Sequence, residues 1–125
     1  MFPSEPYPKE KQLARGQKRY RRKVASGKRW QQLWDEKRGP CRICGDTVSS
    51  LMELHHLVFR SHFGDDTADN LVPLCHGCHC AITLRRSEAA AKRLMLSLSD
   101  AEYSYMVQRG GEDYPERAYG IEYAR

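Results

Sequence analysis

Four of the five cysteines fall as two C-x-x-C pairs, Cys41/Cys44 and Cys75/Cys78. Thiolates paired at that spacing are the soft ligands of a tetrahedral zinc ion, and a site closed by four of them holds a structural ion. Such an ion stabilises a small domain directly, because its binding free energy is folding free energy. The long span between the pairs makes the site a clamp on everything it encloses. Free buried thiols or disulfides are the alternative, but two formed pairs with one cysteine left over fit a metal site better. Cys80 is the odd one and is expected to pack as a small hydrophobe.

Beside the thiols lie His55 and His56 in tandem, Asn70, and His79 directly after Cys78. Imidazole titrates near neutrality, so it serves either as a general base or as a ligand for a divalent ion. A lone histidine is usually structural, and His62 and His76 individually take that reading.

These groups need elements to carry them. Residues 51–59 (LMELHHLVF) read as a strand, whose alternation sends His55 and His56 to opposite sides. A polar loop over 60–69 follows. A short second strand from Asn70 to Leu74 then delivers Cys75, and a helix from His76 carries His79 in its first turns. Gly45 suits the tight turn after the first thiol pair. Downstream, SEAAAKRLML favours a helix. Ser99 with Glu102 three residues on forms a capping box for another, which Gly110-Gly111 ends. The aromatic tail is expected to pack back on the domain.

Upstream, Pro3, Pro6 and Pro8 mark an extended arm over 1–9. Glu10 to Lys23 favours a helix polar almost all round, which needs a partner such as DNA. Ser26-Gly27 breaks it. Trp30, Leu33 and Trp34 then share one helical face, as core anchors rather than base-stacking groups, and Gly39-Pro40 ends that helix. The fold class is α+β: a small zinc-stabilised core flanked by N-terminal and C-terminal helices. Its organisation is a basic arm and helices over 1–40, the thiol and histidine core over 41–86, and helices with the aromatic tail over 87–125, one compact domain overall.

The net charge of +5 is unevenly placed. Residues 1–40 hold 12 Lys/Arg against 4 acids, 41–98 hold 6 against 6, and 99–125 hold 3 against 6. A basic front is what a phosphate-backbone binder needs, since neutralising phosphates releases counterions. Solubility alone would also account for it. No apolar run approaches a membrane span, and the first residues lack the pattern of a signal peptide, so an intracellular protein with no membrane partner is expected.

In combination, the thiol pairs, the His55-His56 pair, Asn70 and the Cys78-His79 junction resemble the HNH (ββα-metal) endonuclease family. The resemblance covers about half the chain, with a fainter likeness to small phage-type members in the basic front and the LSDAEYSY stretch. It implies a ββα-metal core and a metal-dependent DNA endonuclease that hydrolyses phosphodiester bonds. By that resemblance His56 is the general base, and Asn70 braces the loop and orients the base. His55 and His79 hold one catalytic divalent ion (Mg2+, Mn2+, Ni2+ or Zn2+), beside a structural Zn2+ on Cys41, Cys44, Cys75 and Cys78. Many members carry a further histidine where this chain has Thr83, and His62 could reach the ion from the loop. Lys18, Arg19, Arg21, Arg22, Lys23, Lys28, Arg29 and Arg60 are the expected DNA contacts. The expected setting is the cytoplasm of a bacterial host or phage-infected cell, with phage or mobile-element proteins as further partners.

Two rivals explain less. A non-catalytic zinc-knuckle module accounts for thiols and charge but leaves the histidine spacing as coincidence. A structural adaptor would use the acidic, tyrosine-rich C-terminal part instead. Oligomeric state, sequence specificity and nicking versus double-strand cleavage have no signature in the chain.

Overall fold

The computed structural model describes residues 20–47 and 51–125. The arm over 1–9, most of the helix expected from Glu10, and Lys18 and Arg19 lie outside them. Where that helix was to end, residues 20–26 run without helical structure. The reason is tertiary. The Ala25 and Lys23 N–H groups donate to Asp66 and Asp65 (3.0 and 2.6 Å), and the Tyr20 hydroxyl also binds Asp65. Backbone donors spent on distant carboxylates cannot also close helical turns.

Ser26 starts a helix rather than merely breaking one. Its hydroxyl accepts from the Arg29 N–H and caps α1 (Gly27–Lys37). Leu33 is fully buried with Leu54 and Leu71, and Trp30 and Trp34 pack half-buried beside it, so the expected stripe faces a core. Arg38 caps the helix just before Gly39-Pro40.

Two strands, β1 (Met52–His56) and β2 (Leu71–Cys75), pair antiparallel, with Met52 opposite Cys75 at one end and His56 opposite Leu71 at the other. The connecting loop holds two short 3-10 turns, Arg60–His62 and Ala68–Asn70. α2 (His76–Thr83) leaves β2 directly. α3 (Glu88–Ser97) is capped by Ser87, and α4 (Asp100–Gly110) carries the capping box of Ser99 and Glu102. The tail contributes a helix not expected from its sequence, α5 (Tyr114–Tyr119), which Pro115 starts and Gly120 ends in a left-handed turn. The architecture is α+β, as expected.

The main core lies under the sheet, where Leu57, Val72, Leu74, Ile82, Leu94 and Met106 meet the buried Tyr114 and Tyr119 of α5. Burying such side chains contributes about 1.5–3 kcal/mol each. The tail therefore does pack back. Among the described residues no helix is long and apolar enough to cross a membrane.

Candidate active site and thiol corner

The thiol corner forms at the Met52/Cys75 end of the ladder. Cys41 and Cys44 sit on a turn that closes when the Gly45 N–H donates to the Cys41 carbonyl at 2.9 Å, with Gly45 at a φ of 78°. The Arg42 N–H donates to the Pro73 carbonyl at 3.0 Å and docks this turn on β2. Cys75 ends β2 and Cys78 lies in the first turn of α2. The four sulfurs lie within 4.8 Å of one another, with Cys44 and Cys75 at 3.8 Å. Four sulfurs about 2.3 Å from a tetrahedral zinc would stand about 3.8 Å apart, so the corner fits the ion by distance and donor type. Burial and the neighbouring thiols push Cys78 up, while Cys41, despite its burial, is lowered to about 7 by backbone hydrogen bonds. Cys80 stays outside the cluster, its sulfur 3.5 Å from His76 Nε2.

The histidines gather at the other end. His55 and His56 point to opposite sides of β1, as alternation requires. His55 is buried on the α2 side, its ring 5.0 Å from that of His79. Its Nε2 meets the Tyr119 hydroxyl at 2.7 Å, and that hydroxyl donates to the Leu57 carbonyl at 2.6 Å. The hydroxyl proton being spent, His55 Nε2 must donate, which leaves the Nδ1 lone pair for a ligand. Burial, then the charges of His79 and His56, hold His55 well below the usual imidazole range, so it stays neutral. His79 Nδ1 meets Glu53 at 2.5 Å, leaving Nε2 without a hydrogen-bond partner among the described residues. The hydrogen bond from His79, more than any other cause, lowers the Glu53 carboxyl. Imidazole nitrogens without a hydrogen-bond partner among the described residues thus lie on two neighbouring rings, a donor type that could hold a divalent ion.

His56 lies on the other side of the strand. Its Nε2 meets Asp66 Oδ1 at 2.8 Å, and Trp30 stacks on its ring at 6.0 Å and 13°. Burial lowers its pKa, and the Asp66 hydrogen bond offsets this in part. Despite their divergence, both histidines line one cavity of ≈ 570 Å³, together with Trp30, Arg60, His79 and Thr83.

Asn70 is fully buried, and its side chain ties the loop together. Its Oδ1 accepts from the Val58 N–H at 2.8 Å, and its Nδ2 donates to the Val58 and Asp65 carbonyls at 3.1 and 2.9 Å. Gly64 belongs to the same contact, since a Cβ there would stand 1.7 Å from the Val58 carbonyl oxygen. The side chain in hydrogen-bond contact with His56 is Asp66, while the hydrogen bonds of the Asn70 side chain go to Val58 and Asp65. His62 stands apart from His55 and His79; its Nδ1 meets the Tyr114 hydroxyl at 2.8 Å and its ring stacks on Phe59. Thr83 lines the cavity in place of a further histidine, with its hydroxyl on the His79 carbonyl. His76 is exposed and meets Glu53 at 3.2 Å.

Of the basic residues, Arg21, Lys23, Lys28 and Arg29 are exposed, and Arg60 is exposed at the mouth of the cavity. Arg22 differs. Its guanidinium holds Asp66 and the Gly64 carbonyl, so its charge is engaged within the protein. Glu53, Asp66 and Tyr119 were missed as site residues. Glu53 had a signal, since it stands two residues before His55 on a strand and so shares its face.

Neither curated proteins nor solved structures give a match to the chain. Residues 41–85, which hold every thiol of the corner and all of the gathered histidines, match the family model described as HNH endonuclease.

Proposed function

We propose that the protein is a metal-dependent DNA endonuclease, with His56 as general base and one divalent ion held by His55 and His79. The observation that supports this most is the shared cavity. A half-buried imidazole with a carboxylate partner and two further imidazoles, each with one nitrogen without a hydrogen-bond partner among the described residues, line the same space. The match to the HNH model gives the class of substrate, a nucleic acid.

A divalent ion at His55 and His79 would supply Lewis acidity toward a phosphate oxygen and the departing oxygen. The residues of the chain do the rest. His56 takes a proton from the attacking water, for which a pKa at or below the usual imidazole value keeps it unprotonated at neutral pH. Glu53 and Tyr119 fix the ring orientations of His79 and His55 through their other nitrogens. Arg60 contacts phosphate at the cavity mouth. Arg21, Lys23, Lys28 and Arg29 attract the backbone without reading bases. The thiol corner holds structural zinc and ties β2 and α2 to the turn before β1.

The test is cleavage of supercoiled plasmid by the full chain, with a chelator and with Mg2+, Mn2+ or Ni2+ added, beside His56→Ala. Metal-dependent nicking or linearisation that disappears in the variant is expected. Salt-sensitive DNA binding without cleavage under any ion would replace this reading with that of a non-catalytic zinc-knuckle module.

A further inference from the structure

We propose that Asp66 is a positioning residue for His56, fixing its tautomer, and that the strap of residues 20–26 is what holds Asp66 in place. This rests on His56 being the general base. Asp66 is neither in the histidine motif nor among the groups assigned to the ion.

Three groups converge on its carboxylate. His56 Nε2 lies 2.8 Å from Oδ1, the Ala25 N–H donates to Oδ2 at 3.0 Å, and the Arg22 guanidinium donates to Oδ1. A backbone amide and a guanidinium can only donate, and a carboxylate answering both is acceptor-only. The third group must then donate as well, so His56 carries its proton on Nε2. A neutral imidazole has one N–H, and Nδ1 is left as its single basic atom. Trp30, stacked at 13° on the same ring, sets the plane while Asp66 sets the rotation within it.

The carboxylate is itself held from far along the chain. Ala25 and Arg22 stand 41 and 44 residues before it in sequence, and next to it Asp65 takes Tyr20, Tyr105 and the Lys23 N–H. The Asp66 N–H closes the arrangement by donating to the Lys23 carbonyl at 2.8 Å. The basic strap is thus part of the scaffold of the base, while Arg21 and Lys23 on its outer side stay exposed.

Asp66→Asn keeps the shape but not the three acceptor directions, because whichever way the amide turns, one donor faces its NH2. The experiment joins two readouts on the full chain. Nitrogen-15 spectra of the histidines report the tautomer of His56, and plasmid cleavage at saturating divalent ion reports kcat and KM. The wild type is expected to show Nε2–H on His56. Asp66→Asn is expected to shift that population toward Nδ1–H and to lower kcat about 10- to 100-fold with KM within about twofold. Arg22→Gln should move both readouts the same way by less. A wild-type His56 protonated on Nδ1 overturns the proposal, and this outcome can be read even if Asp66→Asn does not fold. So does an Asp66→Asn protein with unchanged kcat in an assay where His56→Ala is inactive, which leaves the nuclease reading standing. A His56→Ala protein that cleaves like the wild type overturns both.

Discussion

The two ends of one short ladder do opposite things. At the Met52/Cys75 end four thiols close on one point, and at the His56/Leu71 end the histidines leave their remaining nitrogens open to a cavity. The contrast lies in what completes each set. The thiol corner is complete in protein ligands, so an ion there can only hold the chain together. On the proposed reading solvent and substrate complete the histidine end, and its protein groups serve orientation: Tyr119 for His55, Glu53 for His79, Asp66 for His56. α2 joins the two, carrying Cys78 and His79 as neighbours. On that reading a clamp lies one residue from a group of the active site and does not share its chemistry.

Attacking the thiol end should have the largest effect. Cys75→Ala with Cys78→Ala, or stripping of bound zinc, is expected to unfold the chain. Structural zinc supplies roughly 10 kcal/mol or more and whole domains are stable by about 5–15. Circular dichroism with metal analysis checks this; a variant that melted like the wild type would break the contrast. The histidine end should behave inversely. His56→Ala is expected to lower plasmid cleavage by about 100-fold or more with its melting temperature nearly unchanged. His79→Ala should abolish metal-dependent cleavage, whereas the exposed His76→Ala should not.

A change in the loop should fall between these. Gly64→Ala pushes a methyl against the Val58 carbonyl and the Asn70 amide. It is expected to cost about 1–3 kcal/mol and to displace the segment bearing Asp66. Cleavage should then drop while zinc content holds, which sharpens the separation of the two ends.

Acid should distinguish the ends from the body that supports them. Burial alone would raise the Glu102 carboxyl, but Arg42 and Lys37 hold it at about 2, against 4.5 in an ordinary setting. Because the folded value is the lower one, its contribution is present above about pH 4.5 and is lost as the pH falls toward 2. Thermal melts across that window should show the fall, and Glu102→Gln should flatten it. The smallest effect belongs to the outer charges. Lys28→Ala with Arg29→Ala should weaken DNA binding about equally for all sequences. The salt slope should fall by about 1 for each phosphate the variant no longer neutralises.

Much of this was legible because local chemistry carried it. The thiol pairs, the alternation that parts His55 from His56, the stripe of Trp30, Leu33 and Trp34, and the capping box at Ser99 each depend on spacing of a few residues. What escaped depends on long-range pairing. Residues 20–23 have the composition of a helix, yet Asp65 and Asp66 draw their donors away. Arg22 looks like a phosphate contact until Asp66 is placed beside it. α5 was hidden because six residues around Pro115 carry little helical signal without the core they cover.

The sequence by itself determined which groups are available and in what order: four thiols for a closed site, histidines on alternate faces of one strand, a basic front, and an asparagine just before the second strand. Those follow from covalent geometry and residue chemistry, which need no partner. Only the tertiary structure decided which nitrogen of each histidine is free. That choice is made by Tyr119, Glu53 and Asp66, which lie 64, 26 and 10 residues from the rings they touch. A proton is placed by whatever acceptor stands within hydrogen-bond reach, and folding alone brings that acceptor there.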